Sequence, residues 1–155
     1  MQTSFVGVNE LINAKKAIFD AQRLIAQIVT DVVNLEDINY TVPEVQTLLD
    51  GITVGGHKLQ DELITLNQIN AWRYLFTSLE NGTFMFSLDY ILKLHSLVAR
   101  EEALSWGIFR SGQVSISGTE YLPPKASELQ NIWDTLFIEI NSKLTQNAEN
   151  IIEIY

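Results

Sequence analysis

The chain has 155 residues, 46% of them hydrophobic, which is enough for one domain with a buried core. Its 10 basic and 19 acidic residues leave a net charge of -9, the wrong sign for counterion-releasing contact with nucleic acid or for docking on anionic lipid. With no cysteine, disulfide frameworks and thiolate metal sites are excluded.

From Asn9 onward, Leu11, Ala14, Ile18, Ala21, Ile25 and Ile28 recur at helical spacing. This predicts one amphipathic helix, with Asn9 as its cap. The stretch 34–41 is polar and turn-like, and Pro43 suits the first turn of a short helix that runs to Asp50 and stops at Gly51. Gly55 and Gly56 mark a loop. A long helix then follows, striped by Leu59, Leu63, Leu66, Ile69, Trp72, Phe76 and Leu79, and Asn81-Gly82 supplies a left-handed stop. Ser87 caps the next helix, whose stripe is Leu88, Ile91, Leu92, His95 and Val98.

Over 108–121 the period changes to short alternating stretches. Val114-Ser115-Ile116-Ser117-Gly118 predicts a β-hairpin closed by Pro123-Pro124. An amphipathic helix begins at Ser127 and carries Leu129, Ile132, Trp133, Leu136, Phe137 and Ile140. A further helical segment begins at Asn147 and ends on Ile151, Ile152, Ile154 and Tyr155. That apolar end has two readings: a docked terminal helix, or a surface awaiting a following segment. Its exposure would favour self-association.

Most catalytic templates are missing. No phosphate-binding glycine loop with Lys-Ser or Lys-Thr occurs, nor a Gly-x-Ser-x-Gly turn. The two histidines, His57 and His95, are not spaced as a helical metal pair. His95 lies on an apolar stripe and reads as a core residue. His57 follows two glycines, which suits either a tight turn or a loop near a ligand. The hairpin is equally open: a ribbon packed on the helices, or an edge able to bind an extended peptide by strand addition. No secretory leader pattern and no bilayer-spanning apolar window are present. A cytoplasmic, bacterial domain is therefore expected.

The run Leu94-His95-Ser96-Leu97, then Trp106-Gly107-Ile108-Phe109-Arg110, then 114–118 leading into Tyr121-Leu122-Pro123-Pro124, resembles the Fic (Fido) family. The stretch 51–76, with Leu66-Asn67-Gln68 and Ala71-Trp72, is similar to the helix pair before the Fic core. The resemblance covers 43–155 and is most specific over 94–124. It implies a mainly α fold, a Fic-like helical bundle with one β-hairpin flap. Residues 1–42 would form an N-terminal helical extension, and 43–155 a Fic-like domain incomplete at its C-terminal end.

In that family the flap holds a target protein segment in extended form while AMP passes from ATP, with magnesium, to a hydroxyl side chain. The resemblance thus makes Val114, Ser115, Ile116 and Gly118 substrate-positioning candidates, and it gives Arg110 a charge partner on a neighbouring helix. The family's His-Pro-Phe and Gly-Asn-Gly-Arg signature does not occur, and neither His57 nor His95 precedes a proline. No catalytic and no metal-binding residue is assigned, and the chain reads as the truncated, inactive front of an adenylyltransferase. Thr53 and His57 occupy the register of the family's inhibitory Ser/Thr-x-x-x-Glu motif, with histidine where the glutamate would stand. Two other readings stand beside this one: a peptide- or protein-binding regulatory module using the hairpin edge, and a helical structural domain with only the fold in common.

Overall fold

A computed structural model describes residues 8–152, with side chains described over 13–143. It contains six α-helices: α1 Val8–Arg23, α2 Ile25–Leu35, α3 Val42–Leu49, α4 Leu59–Glu80, α5 Leu88–Val98 and α6 Leu129–Ile152. A single 3-10 turn, Ala126–Glu128, leads into α6. The predicted helices over Pro43–Asp50, Leu59–Leu79 and Ser87–Val98 are all present. The Asn9 cap, Leu11 and the apolar end at Ile151, Ile152, Ile154 and Tyr155 lie outside the residues whose side chains are described.

Three expectations are corrected. The first predicted helix is two, because the chain turns at Leu24, whose amide donates to the Ala21 carbonyl at 3.1 Å. No proline or glycine marks that turn, so the apolar periodicity runs through it. The segment from Asn147 does not start a new helix, since α6 continues unbroken to Ile152. Among the described residues there is no β-strand, and 108–124 is an irregular loop instead of a hairpin. A two-stranded ribbon is marginal by itself. Here Val114 and Ile116 are exposed, so no packing offsets the cost of ordering one.

Helix ends explain much of the path. Ser87 accepts the Tyr90 amide at 3.2 Å and starts α5. Past α3, Gly51 takes a φ of +81°, and the Gly51 and Ile52 amides return to the Leu48 and Thr47 carbonyls. That left-handed stop costs a glycine little and satisfies two otherwise unpaired carbonyls.

The core joins α2 to α3 and α4. Ala26, Val29 and Val33 meet Val45, Leu48 and Ile69, with Ile38 and Tyr40 from the α2–α3 connection, and Trp72 packs at the edge. Ile69 is 1% exposed; truncating it to alanine would cost about 3 kcal/mol. The second flank of α4 receives α5 through polar as well as apolar groups. Asn67 Nδ2 donates to the Arg100 carbonyl at 2.8 Å, Ser78 Oγ is bonded to the Tyr90 hydroxyl, and Phe84 meets the Tyr90 ring edge-on. Helix α6 leans on the bundle where Phe86 meets Trp133 and Phe137. Among the described residues no helix is long and apolar enough to cross a membrane.

Candidate functional site

Two regions contain the residues singled out by the sequence, and they are built differently. The first is the loop between α3 and α4. Thr41-x-x-Glu44 opens α3 as a capping box: Glu44 Oε2 accepts the Thr41 amide at 2.8 Å and the Thr41 hydroxyl at 2.7 Å. The other carboxylate oxygen of Glu44 is 3.1 Å from His57 Nε2. His57 lies flat on the Tyr40 ring, with centroids 3.8 Å apart. Its place before α4 is therefore fixed from two sides. The Thr41 hydroxyl and amide, and then His57, hold the Glu44 carboxyl down at about 2. Burial first, then Glu62, Asp61 and Glu44, pushes the Tyr40 phenol up to about 12.

Tyr40 Oη is buried and has no hydrogen-bond partner among the described residues. It cannot act as an acid on an external substrate, and His57 spends a ring nitrogen on Glu44. The cluster is a clip that fastens the 51–58 loop to α3. Thr53, by contrast, is exposed.

The second region is the loop 108–124, which is tied at its ends. Arg110 Nη1 donates to the Gly112 carbonyl at 2.8 Å, and its Nη2 donates to the Pro124 carbonyl. Gln113 Nε2 reaches the Pro123 carbonyl at 3.1 Å. Arg110 therefore clamps carbonyls of its own loop and, contrary to expectation, has no charge partner on a neighbouring helix among the described residues. Between the anchored ends, Val114, Ser115, Ile116 and Gly118 are exposed, and their amides have no partner among the described residues.

The loop is seated on α5 by a contact that the sequence did not single out. His95 Nδ1 accepts the Gly107 amide at 3.1 Å, so His95 is a structural acceptor. Gly107 has a φ of +71°, and a Cβ there would stand 2.8 Å from Ser96 Cβ. Glu44 was also missed as a functional partner, although the Thr-x-x-Glu spacing before an apolar run was a readable signal. Among the described residues no group of three or more His, Asp or Glu side chains could hold a metal ion.

No protein-family model matches the chain, and no curated protein matches it. The fold is nevertheless similar to a crystal structure of a Fic family protein from Desulfovibrio desulfuricans G20, with a TM-score of 0.52 over 84% of this chain at 22% identity. The chain spans 43% of that protein's length. The structure thus has a Fic-like, mainly helical fold, and the likeness extends to the fold alone.

Proposed function

We propose that the chain is the substrate-positioning front part of a Fic-type protein AMP-transferase. The likeness of fold, together with a loop at 112–122 anchored at both ends and open between them, carries this reading. Val114, Ser115, Ile116 and Gly118 present unpaired backbone groups to an extended target segment. Pairing with that segment would supply the second strand that the loop lacks.

ATP and magnesium belong to the complete reaction, but the residues present do not fit them. No described cluster suits a metal, and the chain has neither a His-Pro base nor a glycine-rich phosphate cradle. No step of AMP transfer is assigned to these side chains. Exposed Leu104, Ile108, Leu136 and Ile138 are apolar side chains that a further packed segment would cover.

Incubation of the chain with radiolabelled ATP and magnesium should give no labelling of itself or of added proteins, and robust transfer would overturn the reading. The coding sequence beyond Tyr155 gives a second check. His-Pro-Phe followed by Gly-Asn supports the proposal, whereas a stop codon or unrelated sequence counts against it. The unpaired amides also favour a second reading, a peptide-binding module with no transfer activity. Peptide binding that survives alanine substitution throughout 112–120 would sink that alternative.

A further inference from the structure

A cavity of about 510 Å³ lies where the ends of α1 and α3 meet the flank of α4, and it shares no lining residue with either region described above. Ile25, Leu49 and the buried Phe76 give it apolar wall. Two of the chain's 10 basic side chains, Arg23 and Arg73, line it as well. In a protein with 19 acidic residues, two arginines line this one cleft. Neither forms an ion pair among the described residues.

Each guanidinium has one contact among the described residues. Arg73 Nη2 donates to the Leu49 carbonyl at 2.6 Å, which leaves most of its five N–H donors unused. The Arg23 guanidinium stands over the Phe19 ring, 5.8 Å from its centroid. Asp50 also lines the cavity, but its carboxylate accepts from Gln46 Nε2 at 3.1 Å and lies outside ion-pair distance of either arginine. Thr77 adds a hydroxyl to the rim.

We propose that this cleft binds a phosphate monoester carried on a flat apolar body. Paired guanidinium forks match phosphate oxygens bidentately, and two of them suit a group that is close to dianionic at neutral pH. The Phe76, Ile25 and Leu49 wall takes the apolar body, and the volume is that of an ordinary small-molecule site. Asp50 sets a penalty on the anion that its neutral variant would lift. This proposal is independent of the loop at 112–122 and of any AMP-transfer reading.

The test is titration of the isotopically labelled full chain with phenyl phosphate, followed by NMR at constant ionic strength. Saturable shifts centred on Gln46 and Thr77 are expected. Arg23→Gln should weaken binding about tenfold, because it removes charge-assisted hydrogen bonds from an exposed residue whose loss leaves the fold intact. Arg73→Gln should do the same, while Asp50→Asn should tighten binding and Lys125→Gln should leave it unchanged. Absence of saturation at millimolar ligand, an unaltered affinity in Arg23→Gln, or an equal loss in Lys125→Gln overturns the site. Benzoate binding as tightly as phenyl phosphate overturns the preference for phosphate, and equal binding of inorganic phosphate overturns the assignment to an ester.

Discussion

The His57 imidazole is stacked on the Tyr40 ring at 3.8 Å and 13° from parallel, with Glu44 3.1 Å from its Nε2. The stack is built over a phenol whose hydroxyl is buried without a partner among the described residues. A buried unpaired hydroxyl costs free energy that a phenylalanine would not. Tyr40→Phe keeps the ring and the stack, and should raise stability to denaturant by about 1 kcal/mol. Because burial and the carboxylates raise the Tyr40 phenol to about 12, its contribution is fully present below the ordinary value of 10 and is lost as pH rises through 12. Wild type should therefore lose stability over that window more steeply than Tyr40→Phe. Absorbance titration at alkaline pH should show one late tyrosine that vanishes in the variant. A destabilised Tyr40→Phe would mean that the hydroxyl has a partner after all.

Glu44 gives the opposite limb. Its carboxyl lies at about 2, held first by the Thr41 hydroxyl, then by the Thr41 amide and His57. A depressed carboxyl contributes stability above its unfolded value of about 4.5 and loses it as pH falls through 2. Glu44→Gln should unfold with a shallower acid limb between those values, read by circular dichroism. Its helix α3 should also fray more at neutral pH, since the capping acceptor is weaker.

Where the sequence signals were local, they were legible. Pro43 with Gly51, Asn81 with Gly82, and Ser87 each mark a helix end by geometry that a few residues decide, and the structure has those ends. What could not be read depended on distant partners. Ala26, Val29 and Val33 face α3 and α4, so α2 turns to present them at Leu24 with no breaker residue there. On α4, Asn67 and Ser78 are buried along with Ile69 because α5 and the residues after it cover a second flank. The stripe of leucines marked only one flank. Alternation at 114–118 suggested a strand, but a strand needs a neighbour, and nothing local could show that none is there. At the candidate site, the Thr41-x-x-Glu44 box was visible in the sequence, whereas its union with His57 required the fold.

Asp37 offers a plain test of the backbone. It sits just past α2 with a φ of +58°, and its own amide and that of Ile38 close onto the Asn34 and Val33 carbonyls. A glycine meets no Cβ penalty in that left-handed position. Asp37→Gly should stabilise the chain by about 1 kcal/mol in chemical denaturation. Any loss of stability would contradict the left-handed stop.

The Gly107–His95 contact should behave as a lock. Gly107→Ala brings a Cβ to within 2.8 Å of Ser96 Cβ on a backbone with φ of +71°, so the loop must shift away from α5. We expect a loss of about 2 kcal/mol. His95→Leu removes the acceptor and leaves the Gly107 amide unpaired, for about 1–2 kcal/mol. His95→Asn offers an oxygen in nearly the same place and should recover part of that loss. If Leu and Asn behave alike, the hydrogen bond is not what holds the loop.

Arg110 is the residue that most directly links the fold to the proposed function. Its two donors join Gly112 to Pro124 and so fix the distance between the ends of the open loop. Lysine has one compact ammonium in place of a planar fork and cannot span both carbonyls in the same geometry. Arg110→Lys should therefore leave global stability within about 0.5 kcal/mol, because the residue ties a surface loop and not the core. The same change should speed limited proteolysis within 112–122 several-fold, since cleavage follows local opening. Any peptide that pairs with Val114 and Ile116 should bind more weakly to the variant, because the loop must then be ordered at the moment of binding. Unchanged proteolysis alongside unchanged binding would show that the two carbonyl contacts do not organise the loop.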